Sequence, residues 1–189
     1  MNDFEFSITS QNGEDGVIEH IFKEIGTTNK FFVEIGVDEQ SAHGIECNTL
    51  NLAKNGWSGI WIDRKKPPLP FPDSITFFER HVTAENINEI CASAPHDLDF
   101  FSIDVDGNDY WLWKALTLEP RVLCIEFNQW KDSPDYPGDR IQKYDPEYVW
   151  GHERTFGSSL AAMKELGKEK GYEFYCHTNL PVNAFFIKK

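Results

Sequence analysis

Phe31-Phe32-Val33-Glu34-Ile35-Gly36 and Gly59-Ile60-Trp61-Ile62-Asp63 are two short apolar runs, each stopping at a residue suited to a turn or a ligand contact. A run of four or five apolar residues without alternation reads as a strand buried on both faces, which is the pattern of a parallel sheet. Between them, Cys47 to Asn55 places Leu50, Leu52 and Ala53 on a helical pattern and ends at Asn55-Gly56. Outward from this strand, helix, strand unit the pattern repeats. A helix over Gly13 to Ile25 (Val17, Ile18, Ile21, Phe22, Ile25) comes first. Strands follow at Ile75 to Phe78, Leu98 to Val105 and Arg121 to Phe127, with helices at Ala84 to Ala92 and Tyr110 to Leu116. A helix over Ser158 to Lys170, closed by Gly171, leads to two strands at Tyr172 to Cys176 and Val182 to Ile187, at hairpin spacing. Alternating βα units demand right-handed crossovers and helices on both faces. The expected fold is an α/β three-layer sandwich, Rossmann-like, of about seven strands, mostly parallel with the last antiparallel.

The chain has 189 residues, with 18 Lys plus Arg against 31 Asp plus Glu, a formal charge of −13. That length suits one domain, 1–189. The acidic balance argues against nucleic acid and anionic membranes as partners, because neutralising phosphates needs clustered bases. No apolar run approaches the roughly 20 residues of a membrane span, and the first residues lack a signal-peptide pattern, so a cytoplasmic location is expected. Cys47, Cys91, Cys124 and Cys176 are far apart, with no C-x-x-C pair, and read as buried thiols. Two stretches resist regular structure: Lys65 to Asp73, with four prolines, and 129–157, rich in Pro, Asp, Tyr and Trp. The second is long enough for a substrate loop or lid.

Ligands of open α/β sheets sit beyond the carboxyl ends of the strands, where strand order reverses. The residues ending each strand are therefore the candidates: Glu34 and Gly36, Asp63, Asp104 to Asp109, and Glu126-Phe127-Asn128. Gly36 allows close backbone approach, and Asp63 is placed to accept bonds from ribose hydroxyls. The phosphate-binding glycines of a dinucleotide fingerprint are absent, which favours S-adenosylmethionine over NAD. Asp104-Val105-Asp106-Gly107-Asn108-Asp109 crowds carboxylates that repel one another unless a cation or proton lies between them. Two readings stand: a hard divalent ion such as Mg2+ held by Asp104 with Glu126 or Asn128, or a plain turn in which Asp109 caps the next helix. A general base could be Asp104 or a histidine; His43, His152 and His177 fall near loops on the ligand side, whereas His20 and His81 read as ordinary positions. Trp130 and Trp150 are candidates for a sugar-binding surface, and Trp111 and Trp113 for helix packing.

In combination these features resemble class I S-adenosylmethionine-dependent methyltransferases, and within them the FkbM-type group. The resemblance rests on Ser10-Gln11-Asn12-Gly13-Glu14-Asp15-Gly16, Phe32-Val33-Glu34-Ile35-Gly36-Val37, Glu46-Cys47-Asn48-Thr49 and Gly56-Trp57-Ser58-Gly59-Ile60-Trp61-Ile62-Asp63. It continues through Ser102 to Asp109, Ile125-Glu126-Phe127-Asn128, Phe156-Gly157-Ser158-Ser159-Leu160 and Asn183-Ala184-Phe185-Phe186. It implies that Glu34 and Gly36 lie against the methionine end of the cofactor, that Asp63 holds the ribose, and that Thr83 and Ala84 border the adenine. Gln11 and Glu14 would close over the cofactor. Asp104 would face the transferring methyl as base or metal ligand, with Glu126 and Asn128 beside it, as in the related macrocin-type sugar O-methyltransferases that use Mg2+. The implied activity is O-methylation of a small molecule, a sugar or glycan intermediate. Two alternatives stand beside it: a divalent-metal enzyme of phosphate or sugar chemistry, and a non-catalytic binding domain on the same scaffold.

Overall fold

A computed structural model describes residues 2–41, 44–68 and 70–189, without the side chains of 38–46. In chain order the elements are α1 (Glu14–Ile25), β1 (Phe31–Ile35), β2 (Asp38–Ser41), β3 (Gly44–Glu46), α2 (Leu50–Lys54), β4 (Ser58–Asp63), β5 (Ile75–Glu79) and α3 (Ile87–Ile90). There follow β6 (Phe100–Ile103), α4 (Asp109–Ala115), β7 (Val122–Glu126), a 3-10 turn (Gln129–Asp132), α5 (Leu160–Glu169), β8 (Tyr172–His177) and β9 (Asn183–Lys188).

Seven strands form one sheet in the order β5-β4-β1-β6-β7-β9-β8. The pairs β4/β5, β1/β4, β1/β6 and β6/β7 are parallel, while β9 runs antiparallel to both β7 and β8. Alternate side chains of each strand feed two separate cores. Val33, Ile35, Ile60, Ile62, Phe101 and Ile103 meet Ile87 of α3, Leu112 and Trp113 of α4, and Met163 and Leu166 of α5. Phe32, Trp61, Phe100, Val122 and Phe185 meet Val17, Ile18 and Ile21 of α1 with Leu50 and Ala53 of α2. Each such fully buried side chain stabilises the fold by about 1.5–3 kcal/mol. The three-layer expectation is met. Trp113 is helix packing, set against Tyr172 and Phe186. The cysteines are unpaired, with Cys47, Cys91 and Cys124 buried.

Three differences from the sequence reading matter for the site. Between β1 and α2, where the sequence shows no strand pattern, β2 and β3 pair antiparallel. The segment 129–157 holds a 3-10 turn and a single bridge, Ile141 to Ser158, and is otherwise irregular. Asp109 opens α4 but turns its carboxylate backward, accepting the amides of Val105 and Gly107 at 2.9 Å each, instead of capping the helix. The expected cap is corrected accordingly: Asp109 holds the turn. No helix among the described residues is long and apolar enough to cross a membrane.

Candidate functional site

Strand order reverses between β1 and β6, and there the carboxyl edge opens into a cavity of about 620 Å³. A cavity of this size falls within the range that accepts a nucleoside-sized ligand. Its floor is the end of β1. Gly36 adopts φ +84, and a Cβ there would come within 1.5 Å of the Asp104 carbonyl oxygen. Only glycine fits a left-handed position pressed so closely on the neighbouring strand.

One wall is built from carboxylates. Glu34, on β1, accepts the amides of Asn48 (2.6 Å) and Thr49 (3.1 Å) and the Thr49 hydroxyl, and so fastens the start of α2 to the sheet. Burial pushes its carboxyl up to about 7, against the lowering effect of those bonds. Asp63 ends β4, accepts the amides of Val37 (2.9 Å) and Lys65 (3.2 Å), and is raised by burial. Asp104, Asp106 and Glu126 place one oxygen each within 4.8 Å of one another. Burial, then the neighbouring carboxylates, drive Asp104 well above the usual range, Asp109 being the foremost of those neighbours. Glu126 is raised in the same way, with Asp104 as its foremost neighbour. Its Oε2 is buried and has no hydrogen-bond partner among the described residues. Oxygens at this separation, all from carboxylates, fit around a hard cation with ligand distances of about 2.0–2.6 Å. A cation between them would also relieve the mutual repulsion.

The second wall comes from both ends of the chain. Glu14 accepts the Asn12 amide (2.7 Å) and an Asn183 Nδ2–H (2.9 Å), which joins the entrance of α1 to the start of β9. Gln11, Asn12, Val182 and Asn183 line the cavity with it. The N-terminal segment is anchored to the turn before β9: Asn179 donates its amide to Glu5 (2.8 Å), and its Oδ1 accepts the Asn2 amide (2.8 Å).

The roof is a strap, residues 142–150, laid back across the carboxyl edge. Asn108 Nδ2 donates to the Asp145 carbonyl (2.8 Å) and Trp111 Nε1 to the Gln142 carbonyl (2.8 Å). The Ala84 amide donates to the Tyr144 hydroxyl (3.0 Å), which donates in turn to Glu85 (2.5 Å). His81 sits between two fixed groups. Arg64 Nε–H donates to its Nδ1 (2.8 Å), and its Nε2 lies 2.6 Å from the Pro146 carbonyl. A guanidinium can only donate and a carbonyl can only accept, so these contacts select the neutral Nε2–H tautomer. The ring of Tyr148, tied by its hydroxyl to Glu153, lies so close over Gly107 that a Cβ there would fall 2.4 Å from it. Tyr148, Val149 and Trp150 thus face the cavity.

The structure brings Gln11, Glu14, Glu34, Gly36, Asp63, Asp104 and Glu126 to this one cavity. Thr83 and Ala84 stand outside its lining, which takes Arg80, His81 and Val82 from the same loop. Asn128 does not join the acidic group. Its Nδ2 donates to the carbonyls of Arg154 (2.8 Å) and Phe156 (2.9 Å), and its Oδ1 accepts the Trp130 amide (3.0 Å), so the side chain is committed to the loop. The third carboxylate is Asp106. His152 is exposed, at φ +67, with its ring 4.5 Å from that of Trp150 and outside the cavity lining. His43 lies outside the described residues, and the histidine in the wall is His81.

No protein-family model and no curated protein matches the chain. Among solved structures it is similar to the MycE methyltransferase from the mycinamycin biosynthetic pathway in complex with Mg and SAH. That match has a TM-score of 0.60 at 16% identity and covers 90% of this chain and 48% of the other. It is also similar to magnesium protoporphyrin IX methyltransferase from Synechocystis PCC 6803 with bound SAH (TM-score 0.54, 13% identity, 93% and 82% covered). A third is the N-terminal domain of EvdMO1 with SAH bound (0.53, 12%, 95% and 82%). The chain spans about half the length of the MycE chains it matches. At these identities the likeness shows a shared fold, the seven-strand sheet with its antiparallel β9.

Proposed function

We propose that this chain is an S-adenosylmethionine-dependent methyltransferase of FkbM type, acting on a hydroxyl of a small molecule, with a sugar or glycan intermediate as the acceptor class. The observation that carries the reading is the switch-point cavity, floored by Gly36 and flanked by Asp63 on one side and the Asp104, Asp106 and Glu126 group on the other. One solved structure of the same fold, MycE, is described with Mg, SAH and mycinamycin VI together. Bound S-adenosylmethionine would supply an electrophilic methyl group. This chain's residues would do the rest: Gly36 and Glu34 border the methionine end, Asp63 the ribose, and Gln11 and Glu14 close from the N-terminal side. Asp104 would either accept the proton of the acceptor hydroxyl, its affinity for a proton raised by burial and neighbouring carboxylates, or serve as a metal ligand. Alignment of the acceptor would come from the strap.

Mg2+ is the second ligand the reading includes, with Asp104, Asp106 and Glu126 as its holders. The unpartnered Glu126 Oε2 favours a cation there. Calorimetric titration of S-adenosylmethionine and S-adenosylhomocysteine, with and without Mg2+, tests both ligands. Binding of either nucleoside supports the reading, and failure of both under both conditions refutes it. Asp63→Ala should weaken nucleoside binding by about 10-fold or more, the loss of charge-assisted bonds to hydroxyls. Asp104→Ala should instead abolish turnover.

A further inference from the structure

Asn108 and Asn183 both line the cavity, and each carries a buried side-chain oxygen without a partner among the described residues. Their orientation is not arbitrary. Asn108 Nδ2 donates to the Asp145 carbonyl, and Asn183 Nδ2 donates to the Glu14 carboxylate. Both partners only accept, so each amide has its nitrogen fixed and its oxygen left over, and an amide flip would set oxygen against oxygen. Asn108 is the residue before α4 and makes no side-chain cap bond to it, so the stabilisation an asparagine commonly gives there is forgone. A buried acceptor without a donor is unfavourable in the protein alone and calls for a partner: ordered water, an ion or a ligand. The two asparagines belong to opposite walls: one precedes α4 and holds the strap, the other opens β9 beside the N-terminal segment. Both oxygens are neutral and suit a hydroxyl donor, whereas the carboxylate group nearby has the charge that suits a cation.

We infer that Asn108 and Asn183 recognise the methyl acceptor, and that the acceptor is a polyhydroxylated molecule whose hydroxyls donate to Asn108 Oδ1 and Asn183 Oδ1. The inference rests on the methyltransferase reading and adds to it two specificity-determining residues. Sites built to pair with hydroxyls reject analogues lacking them, because the buried acceptors are then left bare.

The test is a ligand-observed NMR titration of the full chain with myo-inositol and methyl α-D-glucopyranoside, each against its permethylated counterpart, and with ethanolamine. Each titration is run with and without S-adenosylhomocysteine and Mg2+. At least one polyol should bind about 10-fold or more tightly than its permethylated form. Asn108→Ala and Asn183→Ala should each bring that ratio close to one, whereas a merely structural defect would weaken both probes alike. If one variant fails to fold, the other decides. The inference is overturned if neither polyol binds, if the permethylated forms bind equally, if the ratio survives in the folded variants, or if ethanolamine is preferred. Loss of the underlying methyltransferase reading shows separately, as absent calorimetric binding of S-adenosylhomocysteine to the wild-type chain.

Discussion

Asp99 and Asp104 lie five positions apart in the sequence, at opposite ends of β6, and their environments push them in opposite directions. Burial works against Asp99, but Arg121 Nη1–H at 2.7 Å and the amides of Thr28, Asn29 and Lys30 overcome it and hold the carboxyl below the usual range. Asp104 has acidic neighbours in place of such donors and is driven up. One edge of the sheet is thus a built structural joint, and the other is held in readiness for a ligand. Asp99→Ala should destabilise the protein by about 3–5 kcal/mol in denaturant unfolding, because it leaves three amides without their acceptor, while Arg121 keeps the carbonyls of Ile25 and Gly26. Glu126→Gln should instead raise the melting temperature of the unliganded protein, since it removes a carboxyl whose charged form burial and the neighbouring carboxylates disfavour. A lower melting temperature would show the carboxylate to be satisfied without a cation. Gly36→Ala meets both a left-handed φ and the Asp104 carbonyl, a loss on the order of 3 kcal/mol or more.

At the scale of elements, the sequence made the sheet readable and the strap unreadable. Buried parallel strands are short, mainly apolar runs, and β1, β4, β6 and β7 carry that mark, broken inside only at Glu34 of β1 and Ser102 of β6. The hairpin of β2 and β3, Asp-Glu-Gln-Ser and Gly-Ile-Glu, has no apolar alternation from which to read a strand. Carboxylates at strand ends were legible because the sheet's topology dictates where ligands go. Asn128 was misplaced because a side chain two residues past a strand is as free to fasten a loop as to face a ligand. His81 was passed over because its role depends on Arg64 and Pro146, which are 17 and 65 positions away. Contacts across such spans leave no local pattern. The strap's hold on the β5 side is itself testable. Tyr144→Phe removes the bonds to Ala84 and Glu85, and amide hydrogen exchange across 142–150 should then accelerate while the sheet's protection is unchanged. Unaltered exchange would mean that Asn108, Trp111 and His81 suffice.

For the whole molecule, the excess of acid has a pH consequence whose sign is fixed. Glu34 titrates at about 7 in the folded chain against an ordinary 4.5, and Asp109 at about 6 against 3.8. A group raised by folding contributes stability that is present below the ordinary value and lost as pH climbs through the folded one. Asp63, Asp104 and Glu126 shift in the same direction. Stability in the absence of ligands should therefore fall as pH rises from about 4 through 7, the range set by Asp109 and Glu34, with Asp104 and Glu126 adding to the loss. Thermal unfolding at fixed low salt measures it. Millimolar Mg2+ should recover most at the alkaline end, where the carboxylates are charged, and a uniform effect across pH would argue against binding at Asp104, Asp106 and Glu126.

The joining of the N-terminal segment to the turn before β9 reaches beyond static structure. β9 enters the sheet between β7 and β8, both made before it, and Asn183 at its start is the partner that fixes Glu14. The segment around Glu14 lacks one of its two partners until Asn183, 169 positions on in the sequence, is in place. A contact of such long sequence separation meets its loop-closure cost before any local contact offsets it, which makes this wall a late step of folding.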